Sequence, residues 1–180
     1  LYMKIDQIML GQMIGDEAVG IYSAAVRISE VWYFIPIVIV ASVFPAILEA
    51  KQRSEAEYHA RLQKLYNLMV ILSVAVALPM IFLATPIVGL LFGEAYTEAG
   101  PVLAIHVWAS VFVFLGVASS KWYIAEGRQI LALQRSVLGA FANVLLNFWL
   151  IPVYGPVGAA IATIISQGIS AYLIDIMQSE

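Results

Sequence analysis

Polar residues are sparse along this chain and gather in short clusters between long apolar runs. From Val31 to Leu48 the sequence carries no charge, and the apolar pattern reaches back to Val19. As a helix, 19–48 would be roughly 45 Å long, enough to cross a hydrocarbon core of about 30 Å. Further runs of spanning length lie at about 65–92, 101–124, 129–151 and 156–176. Residues 1–15 have apolar positions at helical spacing (Ile5, Ile8, Met9, Met13) but are too short to cross alone. They read as the end of a truncated span. The pattern therefore predicts an all-α polytopic membrane protein. It has five full transmembrane helices, counting Val19–Leu48 as the first, plus that truncated end, in one lobe over 1–180.

The breaks between runs have recognisable chemistry. Gly15-Asp16-Glu17 is a polar turn, with Asp16 placed to cap the following helix. Residues 49–64, EAKQRSEAEYHARLQK, form the one long polar segment and predict an amphipathic cytoplasmic link or helical extension. Gly93 to Gly100, Glu126-Gly127-Arg128 and Pro152 to Gly155 are the remaining turns. Pro36, Pro45, Pro79 and Pro86 fall inside spans, where each removes a backbone donor and favours a kink. The last span, GPVGAAIATIISQGIS, is rich in small residues that let helix backbones approach closely.

Composition agrees with lipid as the solvent. Of 180 residues, 62% are hydrophobic and only 12% charged, against about half and a quarter in soluble domains. Basic residues are asymmetric. Lys51, Arg53, Arg61, Lys64, Lys121, Arg128 and Arg135 fall on or near alternate links, and the links between them hold none. The basic side is thus predicted to be cytoplasmic, together with the C-terminus from Asp175 to Glu180. The chain begins Leu1-Tyr2 within an apolar segment and is expected to be a piece of a longer protein. There are no cysteines, no metal-ligand spacing of His59 and His106, and no basic tract for nucleic acid. Hydrolase, zinc-protease and phosphate-loop signatures are absent, so neither an enzyme nor a cofactor is expected.

Candidate chemistry rests on charges inside the spans. Arg27 and Glu30 are three residues apart in the first full span, and Lys4 and Asp6 sit on the truncated one. Two readings apply. They are structural ion pairs and snorkelling side chains, or they line a cavity in which cations bind an anionic headgroup and acids exchange a proton. Lys121, near the cytoplasmic end of its span, has the same two readings. Asn143 and Asn147, at i and i+4, suit interhelical hydrogen bonds.

The segment IDQIMLGQMIGDEAVGIYSAAVRISEVWYFIP is followed in order by FPAIL, LLFGEAYTEAGPVLAIHVWA and IPVYGPVGAAIATIIS. Together they resemble the second half of Wzx-type flippases, in the polysaccharide transporter branch of the multidrug/oligosaccharidyl-lipid/polysaccharide export superfamily. The resemblance covers nearly the whole chain. It implies the C-terminal lobe of a two-lobe, alternating-access transporter whose N-terminal lobe is missing here. The cargo it implies is an undecaprenyl-diphosphate-linked oligosaccharide, moved outward across a bacterial inner membrane. Membrane lipid and the polysaccharide polymerase machinery are the other partners it implies. On this reading Arg27, Lys4 and Lys121 receive the anionic cargo, and Glu30 or Asp6 takes the coupling ion. An ion-coupled multidrug antiporter of the same superfamily and a non-transporting membrane scaffold stand as alternatives.

Overall fold

A computed structural model describes residues 4–177, with side chains described as far as Ala171. Its described elements are helical: α1 (Ile5–Met13), α2 (Asp16–Glu30), α3 (Phe34–Arg53), α4 (Glu55–Phe92), α5 (Ala99–His106), α6 (Ala109–Ala125) and α7 (Gln129–Met177). The side chains of the expected tail, Asp175 to Glu180, lie outside the described residues. Four helical stretches among those described are long and apolar enough to cross a membrane: Asp16–Arg53, Glu55–Phe92, Ala99–Ala125 and Gln129–Ala171. The last is bent. Gly155 has φ 58° and ψ −135°, which is not helical, so α7 is two limbs meeting at one residue. A positive φ is costly for any residue with a Cβ and open to glycine.

The other breaks also follow from local chemistry. A short 3-10 turn, Val31–Tyr33, separates α2 from α3. Pro36, four residues after Trp32, has no N–H for the Trp32 carbonyl, so the helical ladder loses a bond at this turn. Ser54 separates α3 from α4 in an extended conformation (φ −161°, ψ 125°), and its hydroxyl accepts the Glu57 N–H at 3.4 Å. That is the serine half of a Ser-x-x-Glu capping box. The polar segment 49–64 is therefore helical on both sides of one cap. At the start of α2 the cap is Gly15, without a side-chain bond, and Asp16 is the first helical residue. Asp16 can act on the exposed N–H groups through the helix dipole, but it does not cap them.

Two clusters make up the core. One joins Leu10, Tyr22, Ala25, Val88, Leu103 and Ala159, from α1, α2, the end of α4, α5 and α7. The other joins Val40, Ile47, Tyr58, Met69 and Phe114, from α3, the start of α4 and α6. The first lies toward the turns at Gly15, Gly93 and Gly155, the second toward Ser54 and the basic links. Close approach in the first cluster depends on small residues. A Cβ on Gly100 would stand 2.8 Å from the Thr85 Cα and 2.3 Å from its Oγ1, so α4 and α5 touch backbone to backbone there.

The basic-link end is held by one carboxylate. Glu126 Oε1 accepts from Lys51 Nζ at 2.5 Å and from the Tyr58 hydroxyl at 2.9 Å. These bonds, Lys51 first, hold its carboxyl below the usual glutamate range.

Candidate functional site

The most polar place in the first core cluster is built around Asp6. This carboxylate is buried, at 5% exposure. Its Oδ1 accepts from Asn147 Nδ2 at 2.5 Å. Its Oδ2 accepts from the Tyr22 hydroxyl at 3.0 Å and the Thr163 hydroxyl at 3.1 Å. Asn147 Nδ2 also reaches Asn143 Oδ1 at 3.2 Å. One carboxylate thus ties α1 to α2 and to both limbs of α7. The bend at Gly155 makes this possible, because it folds the limb carrying Thr163 back beside the limb carrying Asn147. Counted from the Gly15 turn, Asp6 lies about 13 Å down its helix, near half the depth of a bilayer core.

The cluster has more oxygen than hydrogen. Thr163 Oγ1 lies 3.1 Å from both Asp6 Oδ2 and the Ala159 carbonyl, yet has one proton to donate. Asn147 Oδ1 is buried and has no hydrogen-bond partner among the described residues. The Asp6 carboxylate, the Asn143 amide oxygen and the Tyr22 and Thr163 hydroxyls thus stand close together, with Asp6 the one acid among them. Buried polar groups left unpaired are costly, and a site of this kind is suited to a small hard cation or a proton. A second layer adjoins it. His106 Nδ1 is 3.0 Å from Ser29 Oγ, and the His106 and Tyr22 rings meet edge to face at 5.8 Å.

A pocket of about 30 Å³ borders this cluster, lined in part by Asp6, Tyr22, Glu30, His106, Asn143 and Thr163. One water needs about 10–15 Å³ of such space. The pocket has room for a small ion or one or two waters, and not for a sugar ring. Asp6 and Glu30 are thus brought to one place.

None of the expected cations lines that pocket, though Lys4 is near Glu30 at its rim. Lys4 is exposed, with Nζ 3.5 Å from Gln7 Oε1. Arg27 and Lys121 are exposed, and among the described residues neither enters an ion pair. Arg27 and Glu30 do not pair. Arg27 is exposed, on the stripe with Val31 and Phe34, while Glu30, about 60° round the helix, is half-buried at the pocket rim. Asp6 and Glu30 line one pocket, Lys4 lies near enough to act on Glu30 electrostatically, and Arg27 is not among the pocket's lining residues. Tyr22 and Thr163 carry no charge, and nothing in their sequence spacing singles them out. Asn143 and Asn147 are the interhelical hydrogen-bonding residues their spacing suggests, and their partners include the carboxylate.

Residues 1–101 match the family described as polysaccharide biosynthesis protein. The chain belongs to this family. It is similar to the probable flippase AglR of Haloferax volcanii, at 29% identity over 96% of this chain and 37% of the relative. It is also similar to the probable low-salt glycan biosynthesis flippase Agl15 of the same organism, at 24% over 96% and 37%. The capsular polysaccharide biosynthesis protein CapF of Staphylococcus aureus is 24% identical over 91% of this chain and 41% of its own. The chain spans about two fifths of the length of these relatives. No solved structure matches it. A polysaccharide biosynthesis protein with four apolar spanning helices is a multi-pass membrane protein.

Proposed function

We propose that this chain is the C-terminal lobe of a flippase that moves a lipid-linked oligosaccharide across a cell membrane by alternating access. In this reading the Asp6 cluster is the coupling site, where a proton or a small monovalent cation binds as the lobe changes state. The observation that carries the proposal is a buried carboxylate that joins α1, α2 and both limbs of α7 beside a pocket the size of an ion. Occupying or emptying such a site changes the charge shared by four helical segments, and so biases how they pack. Cargo binds elsewhere. Arg27 stands on the exposed α2 stripe, where an N-terminal lobe would face it across a cavity and an anionic headgroup would meet it. Lys4 and Lys121 are weaker candidates for the same role. The basic links face the cytoplasm by the distribution of lysine and arginine. A polyprenyl diphosphate carrier, undecaprenyl in a bacterial inner membrane, is the cargo lipid that the sequence resemblance implies. The two Haloferax volcanii relatives are named as flippases, one of them of glycan biosynthesis, which supports a glycan cargo.

A multidrug antiporter would need an uncompensated acid with room for an organic cation beside it. Among the described residues no lysine or arginine bonds Asp6, so the acid is not offset by a neighbouring cation. The pocket at Asp6 is nevertheless too small for an organic cation. Reconstitution of the full-length protein with a fluorescent lipid-linked oligosaccharide tests the reading. Outward movement of the glycan lipid is expected. Movement of cationic dyes without the glycan lipid would overturn it in favour of the antiporter.

A further inference from the structure

A groove of about 190 Å³ lies between α3 and α4. Its lining changes character along its length. Ile47 and Leu65 form a buried floor, and Val43 and Leu68, about 40% exposed, form apolar walls. Arg61 and Lys64 stand at the other end. The positions follow helical spacing: 61, 64, 65 and 68 on one face of α4, and 43 and 47 on one face of α3. The groove also crosses the boundary between polar and apolar sequence, which falls at Lys64–Leu65 on α4 and at Leu48–Glu49 on α3. It therefore sits at the level where headgroups meet acyl chains.

Arg61 is held in place across the mouth. Its Nε and Nη2 donate to Glu57 Oε1 at 3.0 and 2.6 Å, and its Nη1 reaches the Ala46 carbonyl of α3 at 3.3 Å. Lys64, one turn on, is exposed and has no ion pair among the described residues. Arg61, Glu57 and Lys64 sum to +1. We infer that this groove binds one anionic phospholipid of the surrounding bilayer, with its phosphodiester at Lys64 and Arg61 and an acyl chain along Val43, Ile47, Leu65 and Leu68. The net charge matches that of one phosphodiester, and the apolar walls match the chain beneath it. A snorkelling lysine alone needs no trough below it. The site is separate from Asp6 and does not rest on the flippase reading.

The test is lipid retention by the full-length protein, extracted from membranes of phosphatidylcholine with a minor fraction of phosphatidylglycerol and weighed by native mass spectrometry. Wild type is expected to retain phosphatidylglycerol selectively. Lys64→Gln, at an exposed side chain outside the ion pairs, is expected to lower that retention roughly fivefold, and the Arg61→Gln/Lys64→Gln pair about 25-fold. Val43→Trp, which fills the trough and keeps both charges, is expected to lower it as well. Arg53→Gln, outside the groove, is expected to leave it unchanged. Equal retention by wild type and the double variant overturns the inference. So does an Arg53→Gln effect as large as that of Lys64→Gln, which would mean diffuse attraction. Full retention by Val43→Trp would show that no chain lies in the groove. One-for-one displacement by a polyprenyl phosphate at lower concentration would assign the groove to the cargo lipid instead.

Discussion

Asn147→Ala removes the closest donor to Asp6 and strands a buried carboxylate oxygen. The bond is 2.5 Å long, both residues are buried, and Asn147 is fully so. A hydrogen bond to a charged group is worth about 1.5–3 kcal/mol, and the methyl group left by the substitution supplies no replacement donor. The expected cost is about 2–3 kcal/mol, toward the lower end where water from the adjoining pocket reaches Oδ1. Asp6→Asn is expected to cost less, about 1 kcal/mol. Its amide oxygen keeps the Asn147 bond, and its amide N–H groups donate to the Tyr22 or Thr163 hydroxyl, each of which can turn its own proton elsewhere. No charge then remains buried. The double variant should cost less than the sum of the two, because Asn147→Ala no longer strands a charge. Thermal unfolding of the full-length protein in mild detergent measures all three. Greater destabilisation by Asp6→Asn than by Asn147→Ala would refute the view that Asp6 is a charge held by donated hydrogen bonds.

Other consequences follow from the packing and the basic-link end. Gly100→Val should destabilise by about 1–3 kcal/mol, since its side chain would press on the Thr85 backbone; an unchanged unfolding temperature would refute the close contact. Glu126 has a carboxyl pKa lowered on folding, so its contribution is full above the unfolded value of about 4.5 and is lost as the pH falls through the folded value. Stability should drop on acidification through that window, and Glu126→Gln should flatten part of the drop. A variant with the same pH profile as wild type would remove Glu126 from the account.

Much of the fold was legible because lipid imposes a strong pattern. Long apolar runs such as 65–92 have no soluble alternative, and the small residues around Gly158 to Ala162 signal close packing. The site was less legible. Charge drew attention to Arg27 and Glu30 as a pair, but Arg27 is exposed on α2 while Glu30 is half-buried at the pocket rim. Asp6 was visible as an acid in an apolar segment. Its partners were not, because Tyr22, Asn147 and Thr163 lie 16, 141 and 157 residues away. Only the backbone reversal at Gly155 brings the last two together. One glycine before a proline does not announce which side chains will meet across it.

The proposed coupling of a cation at Asp6 to movement of the glycan lipid is open to direct measurement. Proteoliposomes containing the full-length protein, with sodium or proton gradients imposed in turn, measure this directly through the rate of lipid-linked oligosaccharide translocation. Wild type is expected to respond to one of these gradients, and Asp6→Asn to be folded and indifferent to both. Gradient-driven translocation by Asp6→Asn at the wild-type rate would contradict the account.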